Sequence, residues 1–316
     1  MAEFERNIEN NCIEAIRSAP WFQFVRDDRD LFFAIRNESA NVYYKGNSIA
    51  RILCVNNGIQ IETHYKYLLR PDMPHPYLRI PIVINEENKG FFDDYFVLDI
   101  QSQRQIDMIK RASNPYAGLE KTGVHEILKS NRHSVIDVEI ALSQGDADNM
   151  EDQEEFVEYP DGEEENGNVV IRGVRRIDLA AFIEEEQGVV LRFYEAKHFN
   201  NKDIRSGANT APHVIQQLSD YQNLIQQQAV QIQSAYQNQC KIIYAIFQNH
   251  TPGIIAEIAQ GIKTFSVDPN PKLVVFGFDS DQIAYGANGR THLDRLENVF
   301  QVQLIKKGNP KGLVLR

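Results

Sequence analysis

Three charged residues break apolar β-type patterns in the second half of this chain. Asp178 lies between Ile177 and Leu179, and Glu195 and Lys197 end the run Leu191-Arg192-Phe193-Tyr194. Strand side chains alternate, so Glu195 and Lys197 project from one face with Cα atoms roughly 6.5–7 Å apart. If the two segments pair as a hairpin through 184–188, Asp178 lies beside Glu195. Two carboxylates aimed at one point repel each other unless something positive sits between them. A hard cation such as Mg²⁺, which takes oxygen ligands, relieves that repulsion. Lys197 adds a point charge beside a bound water or a phosphate. Residues of these types in this pattern suit a divalent-cation site with a bound water or phosphate beside the lysine.

An acid-x-Lys triplet is weak on its own, and Glu87-Asn88-Lys89 beside Gly90 reads as a loop. Context distinguishes Glu195-Ala196-Lys197: it ends an apolar strand, an Asp lies on the strand before it, and a helix follows. On that helix Gln217 and Tyr221 stand at i and i+4 and share a face, where an amide and a phenol could orient the lysine or meet a phosphate oxygen. The bland alternative is a partly buried salt-bridge cluster. Buried ion triads are often no more stable than apolar replacements, so stability alone is a poor reason to place three charges in strands.

The elements that must position these residues follow from periodicity. Apolar positions at helical spacing predict a helix over 8–16 and another over 101–111. Short apolar runs at 31–35, 41–44, 49–55 and 59–64, with turn signals at Gly46-Asn47 and at 56–58, predict a β meander. Four prolines make 71–81 extended or loop. From 118 onward the reading is a helix (118–131), strands at 134–142, 169–183 and 189–199, a long helix (212–237), a strand (241–248), a helix (253–262), a strand (272–278), a helix (292–300) and a last strand (302–305). That order predicts a mixed sheet with helices on both faces. The boundary between an N-terminal β-rich part, 1–114, and a second domain, 115–316, is placed near Asn114-Pro115.

Asp178, Glu195-Ala196-Lys197 and Gln217-Leu218-Ser219-Asp220-Tyr221 together resemble the PD-(D/E)XK nuclease superfamily, the last element its RecB-type branch. The resemblance covers 118–248; the N-terminal part resembles no family we can name. It implies an α/β fold, a restriction-endonuclease-like mixed sheet flanked by helices, preceded here by a β-rich α+β domain. It implies Asp178 and Glu195 as ligands of Mg²⁺ or Mn²⁺, Lys197 as the catalytic lysine assisting the attacking water, and Gln217 and Tyr221 as supporting residues. Ile177 stands where the family motif has Pro. For the acidic residue that the family often carries on its first core helix, Glu126 is chosen as a third metal ligand, with Glu139 and Asp137 on the next strand as rivals. The implied activity is phosphodiester hydrolysis with DNA as the expected substrate ahead of RNA, of the kind stand-alone members use in restriction or phage defence. The runner-up is a catalytically inactive protein of the same fold that binds nucleic acid or a protein partner.

Composition sets the frame for partners. The chain has 316 residues, 33 Lys+Arg against 44 Asp+Glu, and a net charge of −11. No Lys or Arg occurs between Arg132 and Arg172, and eleven acidic residues fall within 146–165, so one acidic loop at 144–167 accounts for the whole imbalance. The field elsewhere can therefore be locally positive. Cationic candidates for phosphate contacts near the site are Arg175, Arg176, His198, Lys202, Arg205 and His213. A second group is Arg104, Lys110, Arg111, Lys121, Lys129 and Arg132. Such contacts set affinity without reading sequence. The acidic loop reads as a solvated hairpin, or more sharply as a phosphate mimic that competes for the groove. No apolar run reaches the ~20 residues of a membrane span, and the polar 1–11 is unlike a signal peptide. Cys12, Cys54 and Cys240 are too few and too scattered to suggest a disulfide framework or a zinc site, which implies a reducing, cytoplasmic setting. His125-Glu126 begins like HExxH but meets Lys129 at the last position, which argues against a zinc protease. A protein partner reached through the N-terminal part, or a homo-oligomer, fits the remaining surface.

Overall fold

A computed structural model describes residues 4–55, 58–64, 67, 95–98, 100–142, 176–207, 209–284 and 291–316. Two short helices, α1 (Asn10–Ser18) and α2 (Phe22–Asp27), precede five strands: β1 (Phe32–Ile35), β2 (Ser39–Tyr44), β3 (Asn47–Val55), β4 (Gly58–His64) and β5 (Tyr95–Val97). These form an antiparallel sheet in sequence order. The β2–β3 turn is closed by Lys45 at φ 48° and Gly46 at φ 69°, one residue earlier than the sequence suggested. Positive φ at both central positions matches the twist of the flanking strands. Two further helices follow, α3 (Gln103–Ser113) and α4 (Leu119–Ser130).

The second sheet is mixed and six-stranded. Strands β6 (Val135–Ala141), β7 (Arg176–Glu185) and β8 (Gly188–His198) are antiparallel neighbours. Strands β9 (Phe265–Val267) and β10 (Lys272–Phe276) each run parallel to β8, and β11 (Leu304–Lys307) runs parallel to β10. The order is β11-β10-β8-β7-β6, with β9 beside the start of β8. Five more helices, α5 (His213–Gln227), α6 (Ala229–Phe247), α7 (Gly253–Ala259), α8 (Ser280–Ala284) and α9 (His292–Asn298), complete the described chain.

Both faces of the second sheet are covered. Helix α4 lays Val124, Ile127 and Leu128 on Leu179, Tyr194 and Ala196. It approaches so closely that a Cβ at Gly123 would stand 1.9 Å from the Phe276 ring. On the other face Tyr221, Ile225, Ile232 and Tyr236 of α5 and α6 share a cluster with Ala180, Phe182, Leu191 and Phe193. Burial on both sides explains why β7 and β8 read as near-continuous apolar runs.

Several expectations are corrected. The segment 241–248 is helix, not strand: Ile232, Ala235, Tyr236, Gln239, Cys240, Ile243 and Ile246 are buried at helical spacing along α6. Its β-branched run imitates a strand because a short apolar segment carries no period of its own. The strands that lie parallel beside β8 are β9 and β10 instead. The single helix expected over 212–237 is two, meeting at Gln228 with φ −113° and ψ 13°, and β9 was not foreseen. Cys12 on α1 and Cys54 on β3 form a disulfide spanning 42 residues, which removes the support that cysteine spacing lent to a reducing compartment. The acidic loop and the prolines of 71–81 lie outside the described residues. Among the described residues no helix is long and apolar enough to cross a membrane.

The two sheets are joined without a polar gap at residue 114. One apolar cluster runs from Phe4, Ile35 and Ile106 through Ile136 to Phe193 and Ile246. At its centre Asp137, fully buried, accepts from Arg36 Nη1 at 2.7 Å, Arg6 Nε at 3.2 Å and the Tyr236 hydroxyl at 3.1 Å.

Candidate functional site

The β7–β8 hairpin sets the distance between the acids. Its ladder runs from Glu185–Gly188 up to Leu179–Tyr194. The next rung would pair Asp178 with Glu195. There the ladder ends, and the Ala196 N–H donates to Asp178 Oδ2 at 2.6 Å. Asp178 thus turns back over β8, next to Glu195. Across the other side of β8, Leu273 and Val275 of β10 stand level with Glu195 and Lys197. A central strand places both charges deep: Glu195 is 2% exposed and Lys197 8%. Lys197 Nζ lies 2.7 Å from Glu195 Oε1.

Helix α5 brings the amide and the phenol to the same point. Gln217 Nε2 donates to Glu195 Oε1 at 2.7 Å and to the Tyr221 hydroxyl oxygen at 3.1 Å. The Tyr221 hydroxyl donates to the Arg176 carbonyl at 2.6 Å. This chain of bonds fixes the rotamer of Glu195 from the helix side. The five residues singled out from the sequence, Asp178, Glu195, Lys197, Gln217 and Tyr221, therefore meet.

On α4 it is Glu120, not the expected Glu126, that reaches this cluster. Glu126 pairs with Lys129 at 3.4 Å on an outer face of α4, and Asp137 is spent between Arg6 and Arg36. Glu120, in the first turn of α4, reaches the site. Its Oε1 lies 3.4 Å from Lys197 Nζ, and its Oε2 accepts from the His198 N–H at 3.1 Å and Asn201 Nδ2 at 2.7 Å. A sequence signal existed: the N-terminal turn of a helix crossing this face points at the carboxyl ends of the strands, and Glu120 is six residues nearer that end than Glu126. Glu139 sits on β6 between the rungs Val138–Leu179 and Ile140–Ile177, level with Asp178. Its backbone has φ 51°, a left-handed conformation that is uncommon for a non-glycine residue, and its charge is among those felt by Asp178.

The electrostatics follow from this crowding. Burial pushes the Asp178 carboxyl well above the ordinary range, and the Glu195 charge pushes it further. Burial also raises Glu195, to about 7, against the opposing pull of Lys197 and Gln217. Burial works against the Lys197 ammonium, yet Glu195, Asp178 and Glu120 more than offset it and raise its pKa. Burial, with Glu195 next, raises Tyr221, which stays a neutral donor.

Glu195 Oε2 is buried without a hydrogen-bond partner. An unpaired buried carboxylate oxygen beside a second carboxylate fits a divalent cation. Among the described residues no group of three or more His, Cys, Asp or Glu is arranged to hold a metal ion. Two carboxylates alone suit Mg²⁺, which keeps several waters and accepts the rest of its ligands from substrate phosphate.

Of the cationic candidates, Arg175 lies outside the described residues. Arg176 is half-buried at the start of β7. His198 packs edge-on against Phe276 at 5.9 Å, and its Nδ1 accepts the Asn200 N–H at 3.2 Å. Arg205 lies 5.0 Å over the Phe199 ring and donates to the Phe199 carbonyl. His213 Nδ1 is 3.6 Å from Asp203 Oδ1, and Lys202 is exposed. In the second group Lys110 binds Asp28 at 2.8 Å, Lys129 binds Asp30 at 3.0 Å, and Arg132 donates to the Arg29 carbonyl at 2.8 Å. Those three hold the turn before β1. Lys121 Nζ is 3.4 Å from Asn47 Oδ1, and Arg104 and Arg111 are exposed.

No family model matches this chain, and no curated protein or solved structure matches it.

Proposed function

We propose that this protein is a metal-dependent nuclease with a restriction-endonuclease-like core, hydrolysing phosphodiester bonds in DNA. The observation that carries the reading is Glu195 Oε2: buried, unpartnered, beside Asp178, with Lys197 Nζ at 2.7 Å from its sister oxygen. Supporting it is the order of elements, in which α4, the antiparallel strands β6, β7 and β8, helix α5 and the parallel strand β10 surround the site.

When bound, a Mg²⁺ or Mn²⁺ ion supplies Lewis acidity toward a phosphoryl oxygen and toward water. Asp178 and Glu195 would hold it. Lys197, flanked by carboxylates, keeps the proton on Nζ and acts as a hydrogen-bond donor to the attacking water or to a phosphate oxygen. Gln217 holds the Glu195 carboxylate in its rotamer, and Tyr221 anchors Gln217 to the start of β7. Lys202 and Arg205, exposed on the loop after β8, are placed to meet a phosphate backbone.

The test is incubation of supercoiled plasmid, single-stranded DNA and RNA with Mg²⁺, Mn²⁺ or EDTA, using the wild type and Lys197→Ala. Nicking that requires the cation and is lost in Lys197→Ala is the expected result. A folded wild-type protein that cleaves none of the three under any cation overturns the reading and leaves the inactive binding module in its place.

A further inference from the structure

We propose that Asn201 and Glu120 form a positioning pair for Lys197, a role that rests on the nuclease reading above. A lysine ammonium at the end of a flexible four-carbon stem carries about 2 kcal/mol of rotamer entropy. One carboxylate attracts it without fixing it. Here two carboxylates on different elements approach it, Glu195 on β8 at 2.7 Å and Glu120 on α4 at 3.4 Å. Once Glu195 shares its charge with a cation, Glu120 is the counter-charge left undivided.

Glu120 Oε2 is held by two donors, the His198 N–H at 3.1 Å and Asn201 Nδ2 at 2.7 Å, and Asn201 is the nearer and the only side chain of the two. Asn201 Nδ2 donates to Glu120 Oε2 at 2.7 Å, while Asn201 Oδ1 accepts the Asp203 N–H at 2.8 Å and caps the one-turn 3-10 helix Lys202–Ile204. Asp203 reaches His213, the first residue of α5, at 3.6 Å. One turn further Gln217 holds Glu195. These contacts, with one turn of α5 joining His213 to Gln217, link Lys197, Glu120, Asn201, Asp203 and Glu195 around one point. Asn201 is the member that ties the exposed Lys202 loop to the lysine.

Asn201→Asp separates positioning from capping. The aspartate still accepts the Asp203 N–H and keeps the turn, but it loses the donor and sets a negative charge against Glu120. Asn201→Ala loses both. We expect kcat to fall in both variants by about 10–100-fold, the scale of a misplaced catalytic group, with KM within about twofold because uniform substrate binding is untouched. The Lys197 ammonium ¹H–¹⁵N resonance, sharp in the cation-free wild type, should broaden or vanish in Asn201→Asp; this readout needs no turnover. Glu120→Gln carries the same comparison should Asn201→Asp fail to fold. If the wild type cleaves and Lys197→Ala does not, while Asn201→Asp keeps wild-type kcat and a sharp ammonium signal, the pair is overturned and the nuclease reading stands. If the wild type never cleaves, the nuclease reading falls, whatever the ammonium signal shows.

Discussion

Replacing Glu195 by Gln keeps the side chain's shape and an acceptor for Lys197 while removing the buried charge. A carboxyl raised from 4.5 to about 7 binds its proton more tightly folded than unfolded, a difference of roughly 3 kcal/mol. The sign is fixed by linkage: this contribution is fully present below the unfolded value and is lost as pH climbs through 7. Asp178, also raised, acts in the same direction. Urea denaturation of both proteins in EDTA at pH 5 and pH 8 reads the effect together with the change at Asp178, which the Glu195 charge also raises. The wild type should lose about 2–3 kcal/mol more than Glu195→Gln over that interval. At pH 8, Mg²⁺ at about a hundredfold over its Kd should restore about 2.7 kcal/mol to the wild type and little to the variant. Parallel pH profiles for the two proteins would refute the claim that burial of this carboxylate outweighs the pull of Lys197 and Gln217. An equal Mg²⁺ gain in both would refute its role as a cation ligand.

Gly123→Ala should lose at least about 2 kcal/mol in urea, because its Cβ would stand 1.9 Å from Phe276 and α4 must lift off β10. Asp137→Ala leaves two buried guanidiniums without their carboxylate and should cost about 3–5 kcal/mol by the same assay; a loss under 1 kcal/mol would show that the cluster contributes little. The Cys12–Cys54 bond closes a 42-residue loop, worth about 4 kcal/mol in the chain-entropy limit. Thermal melts with and without reductant should therefore differ by several degrees, and a Cys12→Ser/Cys54→Ser double variant should be indifferent to reductant.

The β7–β8 hairpin and the five converging residues were legible because charges inside an apolar alternation stand out, and because a two-residue turn at 186–187 leaves only one register. Glu120 was passed over, although its place in the first turn of α4 was a usable signal, because Glu126 on the same helix and Asp137 and Glu139 on β6 competed with it until the helix was oriented. The break at Gln228 carries no Gly or Pro to announce it. Segment 241–248 misled because Ile and Tyr serve a buried helix as readily as a strand, and length was the better guide: α6 runs unbroken to Phe247. The disulfide was invisible because Cys12 and Cys54 meet only through the packing of α1 beside the first sheet, which no spacing encodes. Composition changes near residue 114, while the apolar cluster continues across it.

That continuity bears on how the chain can be dissected. Severing it near 114 to isolate the half that carries Asp178, Glu195 and Lys197 would strip both arginines from Asp137 and wet the faces that Phe32, Ala34 and Tyr43 now cover. A silent fragment would then report a collapsed scaffold rather than a lost recognition surface. Assigning a role to the first hundred residues calls for single substitutions on their solvent side, made in the intact chain.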